Sequence, residues 1–359
     1  MLRSLLAALC ALSACFVHAE GTSVPAPPRL GFGNYYLVDY ASDRVLAESG
    51  ADEQVPPASL TKLMTAYVVF KALEAGELEL HEQVPVSVRA WKTGGTRMFI
   101  DVNSRVEAED LIRGMLIQSG NDASVALAER VSGSVEAFVE RMNSTAAALG
   151  MRNSVFRNPT GLPARGHLTT AHDLAIVAQA IIREFPAYYG LYSEREFSYN
   201  GITQQNRNAL LRRDPSVDGM KTGHTEAAGY CLVSSAQRDG MRLIAVVLGA
   251  KTPKLRNDGA QKLLDYGFAN YETHKLYTAG QELGIAHVAG GSSGGARLGV
   301  ASDLYVTIPR GSYGDLAATM DVGTQLVAPV EQGTAVGAVD VSLGGEPVSH
   351  AALVTLKPV

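Results

Sequence analysis

Cysteine is scarce in this sequence, and its positions limit the covalent chemistry open to the chain. Three of the 359 residues are Cys, and two of them, Cys10 and Cys15, lie within the first 19 residues. Removal of that segment by processing leaves Cys231 as the single thiol, which excludes an internal disulfide. Long hydrophobic runs are missing as well, because the apolar stretch at residues 5–17 is too short to span a bilayer.

A surplus of positive charge is also missing. Lys and Arg total 31 against 36 Asp and Glu, the formal net charge is −5, and the sequence has no basic stripe. Nucleic-acid binders carry such a stripe, so nucleic acid is excluded as a partner. With 46% hydrophobic and 19% charged residues, the chain has the composition of an ordinary globular protein. Since one hydrophobic core rarely grows past about 250 to 300 residues, we expect one large and one small domain.

The first residues have the features of a signal peptide. Arg3 precedes the apolar stretch, and Val17-His18-Ala19 closes it with the small-residue pattern that signal peptidase recognises. We therefore predict a signal peptide over residues 1–19 and export of the mature chain. One alternative stays open: Leu12-Ser13-Ala14-Cys15 resembles a lipobox, which would make a lipid-modified Cys15 the first mature residue.

Hydrophobic periodicity divides the rest of the chain into two parts. Helical patterns cover residues 58–75, 108–117, 122–131, 135–149, 171–185 and 257–268. Strand patterns cover residues 34–40 and 44–47, joined by a turn at 41–43, and residues 219–222, 230–236 and 242–248. Strands that bracket a helical middle predict an α/β core whose first and last strands share one sheet. After residue 271 only short alternating strands remain, which predicts a small all-β domain. The predicted division is 1–19, 20–270 and 271–359.

Ser59-Leu60-Thr61-Lys62 stands at the start of the first long predicted helix. A spacing of three places the hydroxyl and the amine on one helix face, one turn apart. Ser is a weak nucleophile until a neighbouring base takes its proton, and Lys can be that base when burial or a nearby cation lowers its pKa. Alone, the motif is weak, because an N-cap Ser followed by a solvated Lys has the same spacing.

Two further motifs strengthen this interpretation. Ser119-Gly120-Asn121 lies between two predicted helices, where loop side chains can point into a cleft. Lys221-Thr222-Gly223 lies on a predicted strand, where glycine permits close approach of a substrate backbone. S-x-x-K, S-D-N and K-T-G in this order are the signature of penicillin-binding proteins and class A β-lactamases. The middle motif departs from that signature, with Gly120 in place of Asp.

On these motifs the sequence resembles the D-alanyl-D-alanine carboxypeptidases, the low-molecular-mass penicillin-binding proteins that trim peptidoglycan stem peptides. Other stretches similar to that family are residues 158–162, 167–171 with Asp173, 206–208 and 217–225. Class A β-lactamases are shorter and lack the second domain. The resemblance implies a serine β-lactamase/DD-peptidase-like α/β domain, an antiparallel sheet flanked by helices, followed by a β-rich domain.

The resemblance also implies catalytic roles. Ser59 attacks the carbonyl of the terminal D-Ala-D-Ala bond, and Lys62 accepts its proton. Ser119 relays a proton to the departing D-Ala, while Asn121 holds Lys62 and the substrate amide. The resulting acyl-enzyme is hydrolysed by water, whereas an amine acceptor would make the reaction a transpeptidation. The resemblance implies no cofactor and no metal.

Binding roles follow in the same way. The backbone N–H groups of Ser59 and His224 form the oxyanion hole. Lys221 and Thr222 face the terminal carboxylate of the substrate, where a fixed cation and a hydroxyl suit an anionic group. Arg207 is placed near that carboxylate, and a surface ion pair is its alternative role. The loop at residues 87–99 folds over the active site or serves as an ordinary structural loop.

The resemblance also implies partners and a cellular location for the protein. Peptidoglycan stem peptides are the implied substrates in cell wall biosynthesis, and β-lactam antibiotics are the implied covalent inhibitors. The chain is expected in the periplasm. Many relatives end in an amphipathic helix on the inner membrane, but here Lys357-Pro358-Val359 directly follows the last predicted strand. Either the enzyme is soluble, or a membrane-associating tail is absent from this sequence.

Three hypotheses therefore stand at this stage. The first is the carboxypeptidase. The second is a DD-endopeptidase or β-lactamase of the same superfamily, against which the trailing domain argues. The third is a non-catalytic cell-wall binding protein, which the complete set of Ser59, Lys62, Ser119, Asn121 and Lys221 disfavours.

Overall fold

The computed structural model describes residues 24–291, 295–323 and 325–359. The predicted signal peptide and the alternative lipobox lie outside the described residues. No helix in the described part of the chain combines the length and apolar character needed to cross a bilayer.

Helices dominate the middle of the chain, and strands dominate both ends. The helices are α1 (Thr61–Glu74), α2 (Val88–Lys92), α3 (Ala108–Ile117), α4 (Asn121–Ser132), α5 (Val135–Leu149), α6 (Ala171–Glu184), α7 (Pro186–Tyr189), α8 (Leu210–Arg213) and α9 (Pro253–Asn270). The strands before α9 are β1 (Asn34–Asp39), β2 (Val45–Ser49), β3 (Gln83–Pro85), β4 (Arg105–Glu107), β5 (Glu196–Tyr199), β6 (Ile202–Gln205), β7 (Val217–Thr225), β8 (Gly229–Arg238) and β9 (Met241–Ala250). The strands after α9 are β10 (Tyr271–Tyr277), β11 (Gly284–Ala286), β12 (Val288–Ala289), β13 (Ala296–Val300), β14 (Leu304–Pro309), β15 (Leu316–Asp321), β16 (Leu326–Val327), β17 (Ala335–Leu343) and β18 (Glu346–Thr355).

The main sheet has five antiparallel strands in the order β2-β1-β9-β8-β7. Strand β1 pairs with β9 from Asn34 opposite Leu248 to Asp39 opposite Leu243. The expectation that the first and last strands of the α/β part share a sheet is confirmed. The K-T-G strand β7 is the edge strand of this sheet, so one of its sides is left for other partners.

Side chains on this sheet alternate between two cores. Val38 and Ile244 belong to the core that contains helices α1, α3, α4, α5 and α6. Leu37 and Leu243 point to the other face and pack with Leu263 of α9. This alternation is the period of two expected for a strand covered on both faces.

Helix α1 is buried on nearly all sides. Every residue from Thr61 to Leu73 is buried except Lys71, which is the pattern of a helix inside a core rather than on a surface. A short 3₁₀ turn, Ala58–Leu60, precedes α1 and carries Ser59. The predicted long buried helix is confirmed, and it places Ser59 and Lys62 at the edge of a rigid core.

The C-terminal part is all-β, as predicted. Its main sheet has five strands in the order β11-β13-β18-β17-β15, and two-stranded pairings join β10 to β14 and β12 to β16. A separate apolar core fills it, with Leu298, Ile308, Val339 and Leu353 among its buried members. The fold class expected from the sequence, a helix-flanked antiparallel sheet followed by a β-rich unit, is confirmed.

Candidate active site

Ser59 and Lys62 lie one turn apart, as the motif predicts. Lys62 Nζ is 3.2 Å from Ser59 Oγ. The residue before the serine, Ala58, has φ of +48°, a left-handed conformation that non-glycine residues rarely adopt. Such backbone strain persists only where the surroundings impose it, and it is concentrated at functional sites.

Lys62 is buried, and no carboxylate of the described residues contacts its amine. Besides Ser59, its Nζ contacts Asn121 Oδ1 at 2.7 Å and the Thr160 carbonyl oxygen at 2.6 Å. Burial first, and then the charges of Lys221 and Arg207, hold the pKa of Lys62 well below its usual range, while Asp122 acts in the opposite direction. The lowered pKa favours a neutral amine beside the serine hydroxyl, in comparison with an ordinary lysine.

The second motif contacts Lys62 through Asn121. Ser119 lies between α3 and α4 with φ of +67°, and its buried Oγ has no hydrogen-bond partner among the described residues. Asn121, the first residue of α4, accepts from Lys62 through Oδ1 and donates through Nδ2 to the Gly94 carbonyl oxygen at 2.8 Å. The hydroxyl of Ser119 is thus free for another partner, whereas Asn121 is fixed.

Asp122 was not singled out in the sequence analysis, although it directly follows the second motif. Its buried carboxylate accepts from the backbone N–H groups of Met98 at 3.0 Å, Phe99 at 2.9 Å and Ile100 at 3.3 Å. These bonds hold the loop whose residue Thr96 lines the cavity above Ser59. An acidic residue in the first turn of a helix was the available signal, but its partners are distant in the sequence.

The third motif lies against the turn that carries Ser59. A Cβ atom on Gly223 would be 3.1 Å from Ser59 N and 3.2 Å from Leu60 N, so only glycine lets β7 approach the 3₁₀ turn this closely. Lys221 is buried, and its Nζ donates to the Thr222 carbonyl oxygen at 3.1 Å. Burial, followed by the charges of Arg207 and Arg256, lowers the pKa of Lys221 to about 7.

These groups surround one cavity of about 380 Å³. It is lined by Ser59, Thr96, Ser119, Arg207, Thr222, Gly223, His224, Tyr230, Pro253 and Arg256. Six of the nine predicted site residues line the cavity, and two more, Lys62 and Asn121, lie directly behind Ser59, because Lys62 contacts both Ser59 and Asn121. The remaining one, Lys221, is not among the lining residues.

Two features of the lining were not foreseen. Arg256 of α9 is one of its walls, and no sequence signal linked this residue to the motifs. The His224 ring stacks on Tyr230, with ring centroids 3.9 Å apart. This stack joins strands β7 and β8 beside the cavity, which both residues line.

The side chains that line this cavity do not indicate a metal site. Among the described residues, the one group of His, Cys or acidic side chains close enough to share an ion is His81, Glu107 and Glu109. His81 Nδ1 is 2.5 Å from Glu107 Oε1, and Glu109 is paired with Arg113 at 2.7 Å. None of the three lines the cavity.

Known proteins match the chain along almost its whole length. Residues 21–252 match the family described as D-alanyl-D-alanine carboxypeptidase. The chain belongs to this carboxypeptidase family. The resemblance drawn from the motifs is confirmed, and residues 271–359 match the C-terminal domain of penicillin-binding protein 5.

Individual relatives agree with the family assignment. D-alanyl-D-alanine carboxypeptidase DacA of Escherichia coli (strain K12) is 42% identical over 368 residues, covering 99% of this chain and 91% of the relative. The structure of penicillin binding protein 5 from Haemophilus influenzae matches with a TM-score of 0.90 and 41% identity, covering 93% of this chain and 99% of the other. A D-alanyl-D-alanine endopeptidase of E. coli is 33% identical but covers only 62% of this chain.

Proposed function

We propose that this protein is a serine-type D-Ala-D-Ala carboxypeptidase, which removes the terminal D-alanine of peptidoglycan stem pentapeptides in cell wall biosynthesis. The observation that carries the proposal is the pair formed by Ser59 Oγ and the buried Lys62 amine, 3.2 Å apart. Membership of the carboxypeptidase family supports the substrate class. The same attack on a β-lactam ring makes β-lactam antibiotics covalent inhibitors.

Acylation begins with proton transfer from Ser59 to neutral Lys62. A neutral amine has two N–H groups and one lone pair. Asn121 Oδ1 and the Thr160 carbonyl oxygen accept the two N–H groups, which leaves the lone pair for the hydroxyl of Ser59. As Oγ bonds to the substrate carbonyl carbon, its proton passes to Lys62.

The negative charge that develops on the carbonyl oxygen must be stabilised by hydrogen-bond donors that are already positioned around it. The N–H groups of Ser59 and His224 are the proposed oxyanion hole, and the close approach of Gly223 to Ser59 N brings the two segments together. Removal of one such donor costs about 3 to 4 kcal/mol in other enzymes.

Collapse of the tetrahedral intermediate breaks the C–N bond and releases D-alanine. The leaving nitrogen receives the proton held by Lys62, and Ser119 relays it because its hydroxyl has no other described partner. Water then hydrolyses the ester on Ser59. Thr222 and Arg207 receive the substrate carboxylate, and buried Lys221 adds positive potential from behind the cavity wall.

We assign the chain three parts: a signal peptide at 1–19, a catalytic domain at 20–270 and a β-rich domain at 271–359. Export to the periplasm accords with the substrate. Peripheral association with the inner membrane, and a lipid on Cys15 in place of cleavage after Ala19, are the alternatives for its anchoring. The β-rich domain is proposed to hold the catalytic domain away from the membrane.

Labelling with a fluorescent penicillin, followed by denaturing electrophoresis, tests the nucleophile. The wild type is expected to carry covalent label, and Ser59→Ala is expected to carry none. Ser144→Ala, which changes an exposed hydroxyl bonded only to the Arg141 carbonyl oxygen, is the matched control and should label normally. A folded wild type that takes no label contradicts the proposal.

Release of D-alanine from a pentapeptide tests the reaction itself. A cross-linked peptide dimer and a β-lactam serve as competing substrates, because a DD-endopeptidase would prefer the first and a β-lactamase would turn over the second. The carboxypeptidase is expected to release D-alanine from the monomer fastest. Faster cleavage of either competing substrate would replace the assignment.

A further inference from the structure

The loop at residues 158–162 supplies one of the oxygen acceptors that surround the Lys62 amine. The carbonyl oxygen of Thr160 lies 2.6 Å from Lys62 Nζ, and Thr160 is buried. Because this acceptor belongs to the backbone, its direction is set by the orientation of one peptide group, and no side-chain rotation can correct it. Whatever fixes this peptide group therefore also fixes the direction of the Lys62 amine.

The peptide group in question joins Thr160 to Gly161. Gly161 has φ of +85°, and glycine adopts positive and negative φ about equally readily. A rotation of this peptide group would turn the Thr160 carbonyl oxygen away from Lys62. The local sequence alone thus does not hold the carbonyl in place.

Asn158 binds the same peptide group through its side chain. Its Oδ1 accepts from the Gly161 N–H at 2.7 Å, and also from the Thr160 N–H at 3.1 Å and Thr160 Oγ1 at 2.9 Å. The N–H and C=O of a trans peptide point in opposite directions, so an N–H held by Asn158 directs the Thr160 carbonyl oxygen toward Lys62. At its other end, Asn158 Nδ2 donates to the Leu162 carbonyl oxygen at 2.9 Å.

The same loop packs directly against the segment that carries the nucleophile and the base. A Cβ atom on Gly161 would be 1.8 Å from the Ala58 carbonyl oxygen and 2.9 Å from Ser59 N. Thr65 of α1 donates through Oγ1 to the Pro159 carbonyl oxygen at 2.8 Å. The loop therefore has a fixed place on the 3₁₀ turn and on α1, and Asn158 shapes it from within.

We propose that Asn158 is a positioning residue for the general base, which orients the Thr160 carbonyl so that the lone pair of Lys62 faces Ser59. This inference rests on the proposed function and deepens it. Asn158 is not among the residues that line the cavity, so it acts through Lys62 and not by contact with the substrate.

Pre-steady-state acylation with a fluorescent penicillin in excess tests this role, because the rate constant does not depend on the folded fraction, whereas the amplitude does. In Asn158→Ala, the rate constant at saturating penicillin is expected to fall on the order of 10- to 100-fold, the loss typical of a misplaced catalytic group. The acidic limb of its pH profile should also move to lower pH, since a carbonyl acceptor stabilises the ammonium form of Lys62 more than the neutral amine. The charges that act on Lys62, those of Lys221, Arg207 and Asp122, stay the same in this variant.

Two further variants at this position grade the effect. Asn158→Asp keeps an acceptor oxygen for the turn, so its rate constant should lie closer to wild type than that of Asn158→Ala. Its added negative charge should move the acidic limb in the opposite direction, to higher pH. Asn158→Ser offers a weaker acceptor, should lie between wild type and Asn158→Ala, and carries the test if Asn158→Ala does not fold.

Asn143→Ala is the matched control. Asn143 also binds backbone groups at both ends of its amide: Nδ2 donates to the carbonyl oxygens of Val139 and Phe156, both at 2.9 Å, and Oδ1 accepts from Phe156 N at 2.8 Å. Its loss should lower the free energy of unfolding but leave the rate constant and the acidic limb at their wild-type values.

Two results would overturn the inference and leave the proposed function standing. One is a wild-type rate constant and acidic limb in Asn158→Ala or, if that variant does not fold, in Asn158→Ser. The other is an equal loss in the Asn158 variant and in Asn143→Ala, which would make the role of Asn158 purely structural. A folded wild type that is not acylated at all would instead contradict the proposed function itself.

Discussion

At the scale of single residues, the site and its surroundings contain side chains whose pKa values are shifted by burial. His167 is an example outside the cavity. It is buried, its Nε2 lies 3.0 Å from Thr61 Oγ1 next to the catalytic motif, and burial lowers its pKa to about 4. Thr61 is one residue from Lys62 in α1, so His167 supports the helix that carries the base.

Stability should depend on the protonation of His167. In the folded protein its pKa lies below the unfolded value of about 6.5, so the unfolded state binds the proton more strongly, and stability falls as pH drops below about 6.5 toward 4. Linkage predicts a loss of about 2 kcal/mol between pH 7.5 and pH 5 from this residue. In His167→Gln, the free energy of unfolding should fall less between pH 7.5 and pH 5 than in the wild type, as measured by urea unfolding at both pH values. An unchanged pH dependence in this variant would show that His167 is not the group responsible.

A site residue could be predicted from the sequence where a local pattern determines its position, and could not where tertiary packing determines it. Ser59 and Lys62 are one helical turn apart, so their contact could be predicted from spacing alone. Arg256 has no local pattern, because its position in the cavity depends on how α9 packs on the sheet. Lys221 was expected to face the substrate, but its Nζ is bonded to the Thr222 carbonyl oxygen and the residue does not line the cavity.

At the scale of elements, the loop before α3 is held in place by the first turn of α4. Asp122 accepts hydrogen bonds from three backbone N–H groups of that loop. The backbone N–H of Asn121 in turn donates to the carbonyl oxygen of Thr96 in the same loop, at 2.8 Å. Loop and helix therefore fix each other, and through Asn121 they fix the amine of Lys62.

We expect Asp122→Asn to act on catalysis through Lys62. Loss of the negative charge removes the influence that raises the Lys62 pKa, so the acidic limb of the kcat/KM profile should move to lower pH. Weaker bonds to the loop should also lower kcat/KM by roughly tenfold, about 1.4 kcal/mol. Ser87→Ala, which removes only the N-cap of the neighbouring α2, is the control. An acidic limb that stays in place in Asp122→Asn would mean that Asp122 is only structural.

The sequence patterns predicted long elements well and short ones poorly. Helices α3 and α5 have the predicted bounds, at residues 108–117 and 135–149. The β5–β6 hairpin and the short helices α2, α7 and α8 were not predicted, because elements of three to five residues show too little periodicity and depend on tertiary contacts. The second motif begins in the predicted break: Ser119 and Gly120 lie between α3 and α4, where Gly120 is the N-cap of α4, and Asn121 is the first residue of that helix.

At the scale of the whole molecule, Asp39 links the two parts of the chain. Its fully buried carboxylate accepts from Ala41 N at 3.0 Å, Ser42 N at 2.8 Å and Ser42 Oγ at 2.9 Å in the β1–β2 turn, and from Thr273 Oγ1 at 2.7 Å in β10. Periodicity predicted the change from α/β to all-β structure near residue 271. It could not predict this contact, which joins residues far apart in the sequence.

Asp39→Ala is therefore expected to be strongly destabilising. It leaves several buried donors without an acceptor, which we expect to lower the free energy of unfolding by about 3 kcal/mol. Thr273→Val removes a single donor across the junction and should cost about 1 kcal/mol. Chemical unfolding curves give both values. A smaller loss in Asp39→Ala than in Thr273→Val would contradict this account of the junction.

The proposed mechanism requires an uncharged Lys62 beside Ser59, and the pH dependence of acylation measures this most directly. Single-turnover rates with a fluorescent penicillin should reach their plateau at a pH well below the pKa of about 10.4 of an ordinary lysine and should fall only on the acidic side of that plateau, because Lys62 loses its proton well below its usual range. A rate that rises about tenfold per pH unit from pH 6 to pH 10 would show Lys62 titrating as an ordinary lysine, and it would contradict the mechanism.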